Sequence, residues 1–579
     1  MDPALAPGDP GVAEATTPAP WPLLALNLVP LLLILLLLVA VTGRAWLSTL
    51  LLAGMTYLLY FVNQIKLAEQ STPIVPADFQ LLLHLDAKGA LLLARYLPHG
   101  RLTLAIGLAV LAIIALLWWK ERPLNLLRGK RRLVVIALAL MANLSLLRGW
   151  APWPVLYGED VPLKIWAPKL QALESGLLAN LLHYQWAMGV ILPAPDDAAA
   201  SALLARHRDL LTQTPAMPPA DLPDIIVLQS ESLFDPSRLN GIESAQVLPH
   251  LRELAQSAQH GDMWAPTFGG GTIRTEFEVL TGIAMRYFPL VEYPYFGMAA
   301  TRETSLASVL ARHGYETLAV HPYHRSFWNR ASALANLGFA DFDAEDEFGD
   351  APRQGWYISD DALVDHLLAR LSQATSPMFV FAISMENHGP YDDYPNVDTQ
   401  RLQALKLPPQ LDEHGSKLLR GYLYHLDNAD RALARLVDGL RQRPRRSLLL
   451  FYGDHLPGLN EVYDQLGFRN GAAATQQPVP WLLLDTAHPA PQAAQATAAF
   501  YLPGKLLATA GIDDEPYFRL LESLGEADHV GPGWSPPDDA QLAAVMQLRQ
   551  QREFARLLRQ TFGARPTVAQ PPAAAPGER

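Results

Sequence analysis

Residues 264–282, WAPTFGGGTIRTEFEVLTG, place one hydroxyl, Thr272, directly after Gly269, Gly270 and Gly271 and just before a helix-like run. Glycines let the backbone bend sharply and approach a substrate closely, and a helix start directs N–H groups and the positive end of its dipole at an anion. The combination suits a nucleophile aimed at a phosphate. A surface turn whose threonine caps the next helix would look the same locally, so the rest of the chain has to decide.

Four short apolar runs end in reactive side chains. DIIVLQSES ends in Glu231, ETLAVHPYHRSFWNR passes through His321 to Trp328 and Arg330, MFVFAISMENHGPY ends in Asn387 and His388, and SLLLFYGDH ends in Asp454 and His455. Each has an ordinary explanation taken singly, as a helix cap, a turn, a loop histidine, a surface charge or a core tryptophan. Taken with Thr272, they supply two carboxylates, an imidazole and a hydroxyl, an oxygen and nitrogen shell for a divalent ion such as Mn²⁺ or Zn²⁺. The chemistry that needs this set is phosphoryl-group transfer. A threonine hydroxyl is a poor nucleophile at neutral pH, and a coordinated cation lowers its pKa while screening the phosphate. Glu231, Asp454 and His455 would hold the ion with Thr272 beside it, and Arg330 and His388 would grip non-bridging oxygens or protonate a leaving alkoxide.

Such residues converge when strands place them at one edge of a sheet. Between about 221 and 512 the apolar β-rich runs alternate with helical segments, the pattern of an α/β domain with a largely parallel sheet, whose ligands bind off the carboxyl ends of the strands. Before it, residues 21–149 are expected to form a transmembrane domain. Candidate crossings are 22–41, 46–63, 102–119 and 133–149, while 78–97, which carries Asp78, His84, Asp86, Lys88 and Arg95, is expected to lie on the membrane surface. The basic loop 120–132, KERPLNLLRGKRR, belongs on the cytoplasmic side, which puts the catalytic part outside. Residues 1–20 form a disordered lead-in, 150–220 a connecting helical arm ending in a Pro-rich hinge, and 513–579 a C-terminal helical segment with a disordered tail.

The chain has 579 residues, half of them hydrophobic, a net charge of −12 and no cysteine. The charge argues against a nucleic-acid surface, and the missing thiols exclude cysteine nucleophiles, thiolate metal sites and disulfides.

At these residues the chain resembles the lipoteichoic-acid synthase and membrane phosphoglycerol transferase family, in the sulfatase-like branch of the alkaline phosphatase superfamily. That family's metal-binding glutamate after the first strand looks like Glu231. Its catalytic threonine, five residues before a phenylalanine, looks like Thr272 in GGGTIRTEF with Phe277. FWNR is similar to its headgroup-binding segment and implies substrate contacts for Trp328 and Arg330, NH in MENHGPY matches its substrate histidine at His388, and GDH supplies the ligands Asp454 and His455. The chain departs from the pattern at Ile273 and Arg274, where a small polar and an acidic residue are usual. Arg274 is either an extra phosphate contact or a simple salt bridge. Sulfatase activity itself is disfavoured, because a formylglycine precursor is missing.

The resemblance implies one divalent metal ion, Mn²⁺ ahead of Zn²⁺, and transfer of glycerophosphate from phosphatidylglycerol, through a covalent phosphothreonine, to a periplasmic or extracellular glycan or a polyglycerolphosphate chain. The place is the outer face of the cytoplasmic membrane. Phosphoethanolamine transfer, or a non-catalytic membrane scaffold with the same fold, are the competing expectations.

Overall fold

The computed structural model describes residues 26–70, 72–83, 100–124, 129–157, 172–173, 175–188, 195–215, 219, 221–299, 302–489, 492–531 and 533–563. The expected lead-in 1–20, residues 84–97 of the expected interfacial segment, much of the arm between 158 and 194, and the tail from 564 lie outside the described residues. The chain divides into two compact units, residues 1–193 and 194–579. Residues 150–193 thus belong to the first and 194–220 to the second.

The first unit is helical. Its long helices are α1 (Leu28–Thr42), α2 (Ala45–Gln70), α3 (Gly100–Lys120), α4 (Gly129–Leu147) and α5 (Leu177–Met188). Gly43, left-handed at φ 71°, closes α1 and turns the chain into α2, a conformation that costs a glycine little. α1 packs on α4 and α2, and α2 on α3. The α1–α4 contact is fastened by Asn143 Nδ2, which donates to Leu33 O at 3.0 Å. Among the described residues one helix, α2, is long and apolar enough to cross a membrane. α1 has 15 residues, and α4 opens with Lys130, Arg131 and Arg132. Large apolar side chains, among them Leu32, Leu36, Leu58, Leu111 and Leu138, face outward from these helices.

The second unit is built on an eight-stranded sheet. Its strands are β1 (Asp224–Ser230), β2 (Gln259–Trp264), β3 (Glu316–Val320), β4 (Asp341–Asp343), β5 (Met378–Ile383), β6 (Ser447–Gly453), β7 (Val479–Asp485) and β8 (Thr497–Ala498). They lie in the order β8-β2-β7-β6-β1-β5-β3-β4. All ladders are parallel except the two that β7 makes, with β6 and with β2. The central strands β1, β5 and β6 are buried at every residue. A parallel strand covered by helices on both faces has to be apolar throughout, which is why these three appear as unbroken runs in the sequence.

Helices α6 (Asp197–Arg206), α7 (Ile273–Thr281), α8 (Asp360–Gln373), α9 (Glu413–Arg441), α10 (Leu502–Ala510), α11 (Pro516–Ala527), α12 (Asp539–Gln550) and α13 (Phe554–Phe562) complete this unit. α9 buries Leu419, Leu423, Leu426, Leu433, Val437 and Leu440, a stripe at helical spacing, and packs on α8. α11 packs on α10, and α12 and α13 close on α6. The amphipathic C-terminal helices therefore belong to the same compact unit as the sheet.

Candidate functional site

The strand register brings the reactive residues level. Gln229 on β1 pairs with Ile383 on β5, and Ser230 pairs with Gly453 on β6, so the residues that follow all emerge at one edge. Gly453 makes room for this: a Cβ there would sit 2.2 Å from Leu233 O, so only a glycine lets the chain leaving β1 cross the end of β6. Ser232, in that crossing, holds a left-handed φ of 52°, an uncommon conformation for a residue with a side chain and one that clusters at functional sites.

Glu231, Asp454 and His455 are buried, and one ligand atom from each lies within 4.8 Å of the others. Asp454 Oδ1 accepts from the N–H groups of Ser232 at 2.7 Å and His455 at 2.9 Å. Its Oδ2 is buried and receives no hydrogen bond. His455 Nδ1 donates to Leu456 O at 2.8 Å, which leaves Nε2 as the atom turned toward the carboxylates. That nitrogen faces Asp454 Oδ2 at 3.1 Å and Glu231 Oε1 at 3.8 Å. In the neutral tautomer acceptor faces acceptor in a buried space, an arrangement that a cation satisfies. Burial, then the neighbouring Asp454 charge, push the Glu231 carboxyl up to about 8. Ser232 Oγ donates to Glu231 Oε1 at 2.8 Å, and Ser384 Oγ accepts the Glu231 N–H at 3.0 Å.

Thr272 stands at the head of α7 after three glycines with φ of 65°, 151° and 76°. Its hydroxyl makes no capping bond to the helix and lies 3.4 Å from His455 Nε2. Two ties hold it there. Gly269 N–H donates to Leu456 O at 3.0 Å, and Thr275 Oγ1 donates to Asp454 O at 2.7 Å.

Arg330 acts on this centre through its charge, Trp328 lies two residues before Arg330 in the chain, and His388 neighbours His321, which Arg330 contacts. Arg330 is 1% exposed, and its guanidinium is held by Glu276 and by His321 Nε2 at 3.2 Å. Its charge still acts on Glu231, pulling that carboxyl downward. Burial, then the Arg330 charge, hold the His321 ring well below the usual histidine range, so it stays neutral and accepts. Trp328 and Asn329 share left-handed φ values of 58° and 59°, and the Trp328 ring lies 5.0 Å from that of Tyr293. His388 Nδ1 donates to Gly389 O at 2.9 Å and sits 3.3 Å from Tyr357 Oη, while its charge acts on His321. Arg274 donates to Val291 O at 2.7 Å and lies 3.8 Å from Glu292 Oε2, which is the salt-bridge alternative.

The structure therefore brings Glu231, Asp454, His455 and Thr272 into one cluster; Arg330 is coupled to it through its charge, and His388 is coupled to His321. Sequence reasoning missed Glu276, Ser232 and Ser384. Only Glu276 carried a signal: its position four residues after Thr272 puts it on the same face of a helix. A cavity of about 190 Å³, bordered by Arg238, Arg252 and Asp262, contains none of the residues of the centre.

Comparison with known proteins agrees with this architecture. The sulfatase family model matches residues 223–512. A Rhizobium meliloti (strain 1021) protein named for cyclic beta-1,2-glucan modification is 29% identical over 455 residues, covering 76% of this chain and 67% of that one. The capsular polysaccharide biosynthesis protein RkpI of the same organism is 32% identical over 301 residues, covering 51% of this chain and 52% of its own, so the match spans about half of that relative. Among solved structures, the Streptococcus pyogenes phosphoglycerol transferase GacH in complex with sn-glycerol-1-phosphate shares the fold at 21% identity and a TM-score of 0.50, over 62% of this chain and 93% of that one. A mostly parallel sheet, acids at the ends of its central strands and a family match over half the length place the chain in the sulfatase family, with the α/β domain of the alkaline phosphatase superfamily.

Proposed function

We propose that this chain is a membrane-anchored phosphoglycerol transferase that moves glycerophosphate from phosphatidylglycerol to an envelope glycan or a polyglycerolphosphate acceptor through a phosphothreonine. One observation carries the reading. The Thr272 hydroxyl is spent on no helix cap and lies 3.4 Å from His455 Nε2, the atom that faces the Asp454 and Glu231 carboxylates. The unbonded Asp454 Oδ2 fits a divalent ion better than any neutral partner. Glu231, Asp454 and His455 would hold that ion with Thr272 beside it, Mn²⁺ ahead of Zn²⁺. Once bound, it would lower the pKa of the hydroxyl and offset the charge of the phosphate.

The remaining work falls to side chains. Thr272 gives up its hydroxyl proton to solvent, its Oγ forms the bond to phosphorus as the bond to the diacylglycerol oxygen breaks, and that oxygen takes a proton. We assign that proton to His388, and to the two N–H bonds of Arg330 left over from Glu276 and His321 the hold on non-bridging oxygens. An acceptor hydroxyl then gives its proton to His388 as its oxygen bonds to the same phosphorus, the bond from phosphorus to Thr272 Oγ breaks, and Thr272 takes a proton back from solvent. Trp328 packs against the alcohol of the transferred group.

Support for a membrane setting comes from the apolar outward faces of the first unit, from α2, and from the basic loop at 120–132, which orients the catalytic unit outward. The names of two relatives, glucan modification and capsular polysaccharide biosynthesis, favour a glycan as acceptor. The test is Mn²⁺-dependent release of diacylglycerol from fluorescent phosphatidylglycerol by the full chain in mixed micelles. Release by wild type and none by Thr272→Ala is the expected result, and equal rates would remove Thr272 from the mechanism. Mass spectrometry of the product separates glycerol from ethanolamine on the transferred phosphate.

A further inference from the structure

Glu276 is a buried carboxylate with no part in the steps above. It lies one helical turn beyond Thr272 on α7, and its backbone N–H donates to Thr272 O at 3.1 Å. Its side chain accepts from Arg330 Nη2 at 2.5 Å, Arg330 Nε at 3.3 Å and Tyr295 Oη at 2.9 Å. The Arg330 and Glu276 side chains are 2% and 0% exposed, so water does not screen the pair. The third engaged nitrogen, Arg330 Nη1, meets the uncharged His321 Nε2. A guanidinium carries five N–H bonds, and these contacts use three. What remains for an anion is a pair of directed N–H donors on a cation whose charge Glu276 has already cancelled.

That cancellation has a chemical meaning. A bare guanidinium rewards the more highly charged anion, and in a water-poor site the reward is large. A phosphomonoester carries close to two negative charges at neutral pH, and a phosphodiester carries one. In the proposed transfer the lipid donor, the glycerophosphoryl-threonine and the glycan product are all diesters. Each presents the same single charge, so a neutral Arg330–Glu276 unit suits every stage and favours none as a trap.

We propose that Glu276 determines specificity: by neutralising Arg330 it selects phosphodiesters over phosphomonoesters. The proposal rests on the reading that Arg330 faces the phosphate, and it says nothing about which alcohol is transferred.

Binding without turnover tests it. The full Mn²⁺-loaded chain is titrated calorimetrically with dimethyl phosphate and with inorganic phosphate near pH 8.5, where the latter is a dianion, and the ratio of the two dissociation constants is taken. Glu276→Gln keeps the size and one acceptor oxygen but removes the charge. It should shift the ratio toward inorganic phosphate by about tenfold or more, while Glu276→Asp, which keeps the charge, leaves the ratio near that of wild type. The same shift should appear in kcat/KM for bis(4-nitrophenyl) phosphate against 4-nitrophenyl phosphate. An unchanged ratio in Glu276→Gln overturns the proposal. Should that variant fail to fold, the double variant Glu276→Gln with Arg330→Met, which removes both charges, must keep the preference for the diester, and its loss overturns the proposal equally. A wild type that prefers diesters but releases no diacylglycerol from phosphatidylglycerol defeats the transferase reading and leaves this one standing.

Discussion

The central strand β1 has a carboxylate at its first residue and another just past its last, and the fold treats them oppositely. Asp224 is fully buried, and its oxygens receive Arg443 Nη2 at 2.7 Å, Arg445 Nη1 at 3.1 Å and the N–H of Met378 at 3.0 Å. Glu231 is equally hidden, but the charge that acts on it most is a second carboxylate, Asp454, one of whose oxygens has no donor among the described residues. Burial is the same at both ends, so burial does not tell a structural acid from a functional one. The supply of donors does. A buried charge that the protein itself neutralises is architecture, and one it leaves short is a place reserved for something else.

The contrast can be broken most sharply at Thr272. Thr272→Ala should reduce transfer by about a thousandfold or more, with the thermal midpoint unchanged, as read by product formation and calorimetry on the same preparation. Next come the two acids. Asp224→Asn strands two arginines and should cost about 3–5 kcal/mol of stability, measured by denaturant unfolding, while the rate per folded molecule holds. Asp454→Asn should do the reverse, abolishing transfer assayed with Mn²⁺ while, in chelator-treated protein, leaving stability level or raised by about 1 kcal/mol through relief of like charges.

A third buried acid, Glu278, tests an intermediate case. It accepts the N–H of Met285 at 2.7 Å, and burial pushes its carboxyl from 4.5 up to about 8. Between those values the folded state keeps the proton and the unfolded chain has released it. Stability from this group is therefore full below pH 4.5 and is lost as pH rises toward 8. Glu278→Gln should flatten that decline in a series of melts across the window. The smallest effect is expected for Ser384→Ala, which leaves the Glu231 N–H unpaired and should cost about 1 kcal/mol with a modest loss of rate.

Much of the functional end is legible in the sequence for a definite reason. Strands covered on both faces must be apolar throughout, so the first polar residues after DIIVLQS, MFVFAI and SLLLFYG mark one sheet edge. The nucleophile is legible because three successive glycines are a costly thing to keep without a purpose. Glu276 is not legible as the partner of Arg330, since the two are 54 residues apart in the chain and eight of the nine residues of α7 are buried. With no exposed face to read, an acid on that helix looks like any other. Arg330 shows the same limit: its type suggests an anion grip, while most of its donors are committed within the protein. In the first unit the four expected crossings fall on α1 to α4, and among the described residues α2 is the helix long and apolar enough to cross; the start of the 22–41 run lies outside the described residues, and α4 opens on three charges.

The packing of α12 and α13 on α6 has a practical result for anyone preparing the catalytic unit apart from the helices that precede it. The last turns of the fold rest on its first helix, where Leu203 and Leu204 are wholly covered. A fragment cut at Ile512, where the family match stops, would strip that cover and offer bare leucines to its neighbours in solution. A soluble version should start ahead of Asp196 and run through Phe562.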